Sequence, residues 1–270
     1  MMPARQISGI SATITKSFFG IETQITKEEV PRGRTLHARG LYILCDGMGG
    51  HASGEVASAL AVKTLQEYFK THWQEDLPNE ATIREGVLIA NQAIYEVNQQ
   101  ESSSGSGRMG TTLVLVLLQD TDVAVAHVGD SRLYRVSRKR GLEQVTVDHE
   151  VGQREILRGV DPAIAYARPD AYQLIQALGP RDNQSVNPDI QFLSLREDTL
   201  LVLCSDGLTD NDLLETYWQS HLDPLLSSQS QLDRGTSQLI DLANQYNGHD
   251  NITAIVVRIK VRPNLAMLPR

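Results

Sequence analysis

The chain has 270 residues, 41% hydrophobic and 21% charged, with a formal net charge of -8. It is long enough to bury a sizeable core, and its acidity argues against a basic nucleic-acid-binding surface but not against a phosphorylated substrate, because bound metals supply positive charge locally. Cys45 and Cys204 lie inside apolar runs with no Cys-x-x-Cys pair, so they read as buried free thiols and structural zinc is not indicated. No stretch has the apolar length of a membrane span and no signal peptide is evident, so a cytoplasmic protein is expected.

In chain order, Ile10, Ala12, Ile14 and then Phe18, Phe19, Ile21 predict a first strand or hairpin. The charged stretch 28–39, with Pro31 and Gly33, reads as a loop. Leu41–Cys45 is a short apolar run that predicts a buried strand, and it ends at Asp46 in Asp46-Gly47-Met48-Gly49-Gly50-His51. Apolar residues at helical spacing predict one helix over 53–69 and another from about Glu80. The polar joint 102–107 is too short for a domain linker. Three runs, 111–118, 123–128 and 133–136, read as consecutive strands of an antiparallel meander. Residues 150–185 open with helical spacing over 151–157, then carry Pro162, Pro169 and Pro180; they read as an excursion over the surface beside the site. Strands return over 190–195 and 200–204, a helix fits 233–246, and 252–261 is the last strand, followed by a loose tail over 263–270. The sum is an α+β domain over 1–262 with two packed, mainly antiparallel sheets.

An Asp-Gly after an apolar run is by itself more often a plain turn. Here the theme recurs. Leu200–Cys204 leads to Asp206-Gly207, Val123–Val128 leads to Asp130, and Asp250 stands just before the strand at Ile252. Carboxylates at the ends of neighbouring strands converge, and clustered carboxylates hold protons unless a cation neutralises them. An oxygen-ligand site for Mg²⁺ or Mn²⁺ is the economical reading.

Five stretches carry a resemblance: Asp46-Gly47-Met48-Gly49-Gly50-His51, Gly110-Thr111-Thr112-Leu113, His127-Val128-Gly129-Asp130-Ser131-Arg132, Ser205-Asp206-Gly207-Leu208-Thr209 and His249-Asp250-Asn251-Ile252-Thr253. In this order they resemble the motifs of the PPM (type 2C) metal-dependent serine/threonine phosphatases, bacterial type, over residues 40–260. The resemblance implies a four-layer α-β-β-α sandwich with two Mn²⁺ or Mg²⁺ ions between the sheets. Asp46 would bridge them, the Gly47 carbonyl would contribute, Asp206 and Asp250 would bind the first metal, and Asp130 a weaker third. It implies hydrolysis of phosphoserine and phosphothreonine in proteins by a metal-bridging hydroxide, with 150–180 as the family's flap. His51 is a candidate proton donor to the leaving oxygen, against the plainer reading of a residue that starts a helix. Phosphorylated proteins would be the partners, with neither nucleic acid nor membrane involved.

The N-terminus departs from the family. Where the family has Arg-x-x-Asn-Glu-Asp, this chain places Ala12 at the arginine and Lys16 and Ser17 at the acidic pair. Loss of a bidentate guanidinium weakens phosphate capture, and a lysine beside a metal adds repulsion. Second-metal binding is therefore expected to be impaired, with a phosphoprotein-binding pseudophosphatase as the alternative. A nucleotide-binding reading of Gly47-Met48-Gly49-Gly50-His51-Ala52, with Glu67 further on, fails because Asp46 would oppose a pyrophosphate and a second helix follows the first.

Overall fold

The computed structural model describes residues 5–16, 21–32, 35–49, 51–100, 108–248 and 250–263. Its first half comprises β1 (Arg5–Lys16), β2 (Ile21–Arg32), β3 (Thr35–Met48), α1 (His51–His72), α2 (Glu80–Gln100), the two-residue β4 (Gly110–Thr111), β5 (Leu113–Gln119), β6 (Asp122–Val128), β7 (Arg132–Ser137) and β8 (Gly141–Gln144). The second half adds α3 (Val151–Leu157), α4 (Pro162–Tyr166), β9 (Asp189–Ser194), β10 (Thr199–Cys204), α5 (Asp206–Thr209), α6 (Leu213–His221), α7 (Leu232–Asn247) and β11 (Thr253–Pro263). One sheet runs β1-β11-β10-β7-β8, the other β2-β3-β5-β6-β9 with β4 continuing alongside β3. All the strand pairings described are antiparallel.

Alternation along single strands builds the layers. In β3, Leu41, Ile43 and Cys45 pack against α1 and α2 through Ala61, Leu65, Ile83 and Val87. Tyr42 and Leu44, one residue out of phase, point the other way and meet Leu201, Leu203, Ile255 and Val257 of the facing sheet. On that sheet the remaining face, with Leu200, Val202, Ala254 and Val256, is covered by Leu213, Leu214, Leu239 and Ile240 of α6 and α7. The result is the α-β-β-α sandwich, with both cysteines buried inside it and neither in a disulfide.

Two expectations are corrected. Residues 28–39 are no loop: β2 extends to Arg32 and β3 starts at Thr35. β2 stands at the end of its sheet, a position where Pro31 is permitted in a strand. The meander is no single sheet either, for β6 pairs β5 and β9 whereas β7 pairs β10 in the other sheet. Helix α6 was not foreseen. The expected tail lies outside the described residues, apart from its first residue, Pro263, which closes β11.

Candidate metal centre

Each acid stands where a strand leaves the core. Asp46 is near the end of β3, opposite Ile21 of β2. Asp130 sits in the turn between β6 and β7, the three residues in which the chain changes sheets. Asp206 opens α5 directly after β10, and its Oδ1 accepts from the Gly207 N–H at 2.8 Å. Asp250 precedes β11, with Oδ1 accepting from the Asn251 N–H at 2.6 Å. Strands β10 and β11 pair up to Cys204 opposite Ala254, so the last two acids emerge side by side. Ser205 ties their loops together: its Oγ donates to the Asn251 carbonyl at 3.2 Å and accepts from the Thr253 N–H at 3.1 Å. Gly207 is forced by this closeness, since a Cβ there would lie 2.5 Å from the Asn251 carbonyl oxygen.

Three of the four carboxyls are raised. Burial, then Asp206, Asp130 and Asp250, push the Asp46 carboxyl well above its ordinary range. Burial, then Asp130, Asp250 and Asp210, raise Asp206 to about 7. Asp130 rises to about 7 through burial and then the charges of Glu150 and Asp148, with Arg132 opposing. Among the described residues no lysine or arginine forms an ion pair with any of the four. An all-oxygen donor set with no described ion-pair partner, offset only in part by Arg132 near Asp130, fits Mn²⁺ or Mg²⁺.

Glu150 and Asp148 were missed by the sequence reading, where the acidic run Asp148-His149-Glu150 was the only signal. Asp148 is held bidentately by Arg132, at 2.9 Å from Nε and 2.7 Å from Nη2. Glu150, which burial raises to about 6, accepts from the Tyr166 hydroxyl at 3.0 Å, so α4 of the excursion is anchored beside Asp130. Glu150 and Tyr166 thus tie the start of this excursion to the Asp130 turn.

A second group, His127, His149 and Asp189, has potential ligand atoms within 4.8 Å of one another. The Gly129 N–H donates to His149 Nδ1 at 3.2 Å, which leaves that ring's own proton on Nε2, facing Asp189 Oδ2 at 3.2 Å. His127 is lowered to about 3 by burial and by His149, so it is a neutral imidazole in the core. The trio is already a hydrogen-bonded pair beside a neutral ring. The acid cluster is the better dication site.

Gly47 pairs with Thr111 of β4 at the end of β3. His51 is the first residue of α1, and its side chain lies outside the described ones. The same is true of the Lys16 side chain and of the whole of Ser17. Ala12 is opposite Val257 in β1 and packs against the core between the sheets, so the strand is present without its arginine.

The protein phosphatase 2C family profile matches residues 33–242, starting beyond the departed N-terminal segment. The serine/threonine phosphatase Stp of Listeria monocytogenes is 34% identical over 223 residues, 80% of this chain and 83% of that protein. Protein phosphatase PhpP of Streptococcus pneumoniae is 34% identical over 224 residues, 81% and 85% of the two chains. The structure of the Mycobacterium tuberculosis serine/threonine phosphatase PstP/Ppp has a TM-score of 0.74 at 27% identity, covering 92% of this chain and 97% of that one. The catalytic domain of PstP in complex with two manganese ions has a TM-score of 0.70 at 27% identity, covering 95% and 100%. Sequence and fold agree: the chain belongs to the protein phosphatase 2C family of metal-dependent serine/threonine phosphatases.

Proposed function

We propose that Asp46, the Gly47 carbonyl, Asp206 and Asp250 hold two divalent cations, Mn²⁺ or Mg²⁺, and that Asp130 serves a weaker third. The single observation that carries this is the convergence of four strand-end carboxylates with no described cationic side chain paired to them. As a 2C-family protein it acts on phosphorylated proteins, and the substrate groups are phosphoserine and phosphothreonine. Bound dications of this class supply positive charge for phosphoryl oxygens and acidify water. The chain's own part is to hold ionised carboxylates at fixed strand ends, which orients the reacting groups before reaction begins. His51, at the start of α1, is assigned the proton donor to the leaving serine or threonine oxygen. No cysteine takes part: Cys204 is buried, and burial pushes its thiol up.

Residues 1–262 form one phosphatase domain in this reading, with 150–185 as its flap and 263–270 as a loose tail. The net charge of -8 favours protein over nucleic-acid substrates, and two buried cysteines outside any disulfide fit a reducing cytoplasm. No described helix is long and apolar enough to cross a membrane. The absent arginine and acidic pair at positions 12, 16 and 17 favour weakened second-metal binding over full silence, because Asp46, Asp206 and Asp250 are retained.

The test is hydrolysis of a phosphothreonine peptide with millimolar Mn²⁺, with and without chelator, beside Asp206→Asn. Chelator-sensitive turnover lost in the variant is expected. A folded wild-type protein that binds the peptide without turning it over would instead be a pseudophosphatase.

A further inference from the structure

The Gly110-Thr111-Thr112-Leu113 motif carries no metal ligand, yet it touches both turns that bear the carboxylates. In the ladder between β3 and β5, Leu44 pairs with Val114, and between β3 and β4, Gly47 pairs with Thr111. That register sets Asp46 directly opposite Thr112. A hydrogen-bonded antiparallel pair exchanges two main-chain bonds. Here only one is made in that form, from the Thr112 N–H to the Asp46 carbonyl at 2.8 Å. The Asp46 N–H donates instead to the Thr112 hydroxyl, at 3.0 Å. The Asp46 carbonyl also accepts from Thr111 Oγ1 at 2.9 Å. Threonine hydroxyls therefore engage both main-chain groups of the residue whose carboxylate would help hold the metals.

The same Thr112 hydroxyl is 2.7 Å from Ser131 Oγ, the residue after Asp130. Gly129, on the other side of Asp130, packs so tightly on Thr112 that a Cβ there would lie 2.8 Å from the threonine methyl. Its φ of +108° belongs to the region that glycine occupies without strain. Thr111, Thr112 and Ser131 are all buried. Asp46 comes from one sheet and Asp130 from the turn that leaves it for the other. One buried hydroxyl spans the two.

We propose that Thr112 is a positioning residue for the metal centre, fixing the separation of the Asp46 and Asp130 turns through its hydroxyl. This rests on the reading of those acids as ligands. A hydroxyl is required because it accepts from the Asp46 N–H and shares a proton with Ser131 at once; a methyl of the same shape does neither. Valine at this position leaves a buried N–H and a buried hydroxyl without partners and frees both turns to shift. Serine keeps the hydroxyl and loses only the methyl that Gly129 covers.

The experiment measures Mn²⁺ affinity of the full chain by calorimetry, beside thermal melting in chelator, for Thr112→Val, Thr112→Ser, Ser131→Ala, Asp46→Asn and Leu239→Ala. The last opens a cavity in the apolar cluster under α7, which includes neither Thr112 nor Ser131, and controls for lost stability alone. Expected are an affinity for Thr112→Val weakened at least tenfold, a threefold or smaller change for Thr112→Ser, and unchanged affinity for Leu239→Ala. Should Thr112→Val fail to fold, Ser131→Ala carries the test through a severalfold weakening that exceeds any change in Leu239→Ala. Wild-type affinity in Thr112→Val, or in Ser131→Ala where that variant must serve, overturns the proposal. So does equal weakening in the tested variant and Leu239→Ala. Wild-type affinity in Asp46→Asn would instead overturn the ligand reading on which it stands.

Discussion

Asp46 is a residue that the protein keeps at a cost. Burial and three neighbouring acids oppose its charge, so in the absence of metal the centre is held together against repulsion. Asp46→Asn is expected to raise the stability of the metal-free protein by about 0.5–2 kcal/mol, in the manner of site residues selected for function over stability. It should at the same time abolish the gain in melting temperature on adding Mn²⁺. Melting in chelator and in millimolar Mn²⁺ reads both effects, and an unchanged Mn²⁺ gain would contradict the assignment. At this scale the sequence was informative where chemistry follows an apolar run: Asp46, Asp130, Asp206 and Asp250 were all visible as acids at strand ends. Thr112 and Glu150 were not, because a hydroxyl or carboxylate acquires its role only from what the fold brings opposite to it.

Among elements, β11 is pinned at its far end by Asp198. The Asp198 carboxylate pairs with Lys260, accepts from the Val261 N–H at 2.9 Å and meets Arg262 Nη1 at 2.9 Å. Burial works against that charge, but the Lys260 and Val261 hydrogen bonds and then the charges of Lys260 and Arg262 outweigh it and hold the carboxyl below its ordinary range. A depressed folded pKa contributes stability above the unfolded carboxyl range, near pH 4, and that stability is lost as pH falls through the folded value. Asp198→Asn is therefore expected to cost about 1 kcal/mol at pH 7, with the deficit shrinking below pH 4. Denaturant titrations at pH 7 and pH 3 measure this; an equal deficit at both would remove the charge from the explanation.

Strand β1 offers the complementary test, because it is present while its expected chemistry is not. Ala12→Arg, Lys16→Glu and Ser17→Asp together are expected to raise turnover of a phosphothreonine peptide about tenfold, one good charge-assisted contact being worth roughly that much. No gain would mean that this chain captures phosphate by other groups. Strand and helix boundaries were legible wherever alternation or helical spacing was strong, as in α2 and α3. The sheet change between β6 and β7 was not, because alternation reports which face is buried and not which sheet a strand joins. Helix α6 escaped because it is short and only Leu213 and Leu214 in it are buried.

For the whole molecule, the candidate centre lies where two sheets packed on each other through an apolar core come together. Asp46 belongs to one, Asp206 and Asp250 to the ends of strands in the other, and Asp130 to the connection. A ligand that binds only the native state stabilises it by mass action, about 2.7 kcal/mol at a hundredfold excess over its dissociation constant. Saturating Mn²⁺ is therefore expected to raise the melting temperature by several degrees and to make it concentration-dependent. Chelator should reverse the change, and a melting temperature indifferent to Mn²⁺ would argue against a dication centre.

The partner of β1 is β11, with Ile14 opposite Ile255. At roughly 5–20 residues per second of synthesis, the first strand waits on the order of 10–50 s on the ribosome before its neighbour exists. Asp250 precedes β11 and arrives with it. The strand that completes the first sheet and an acid of the proposed centre are thus made together, so in this reading a nascent chain has no assembled site until that sheet can close.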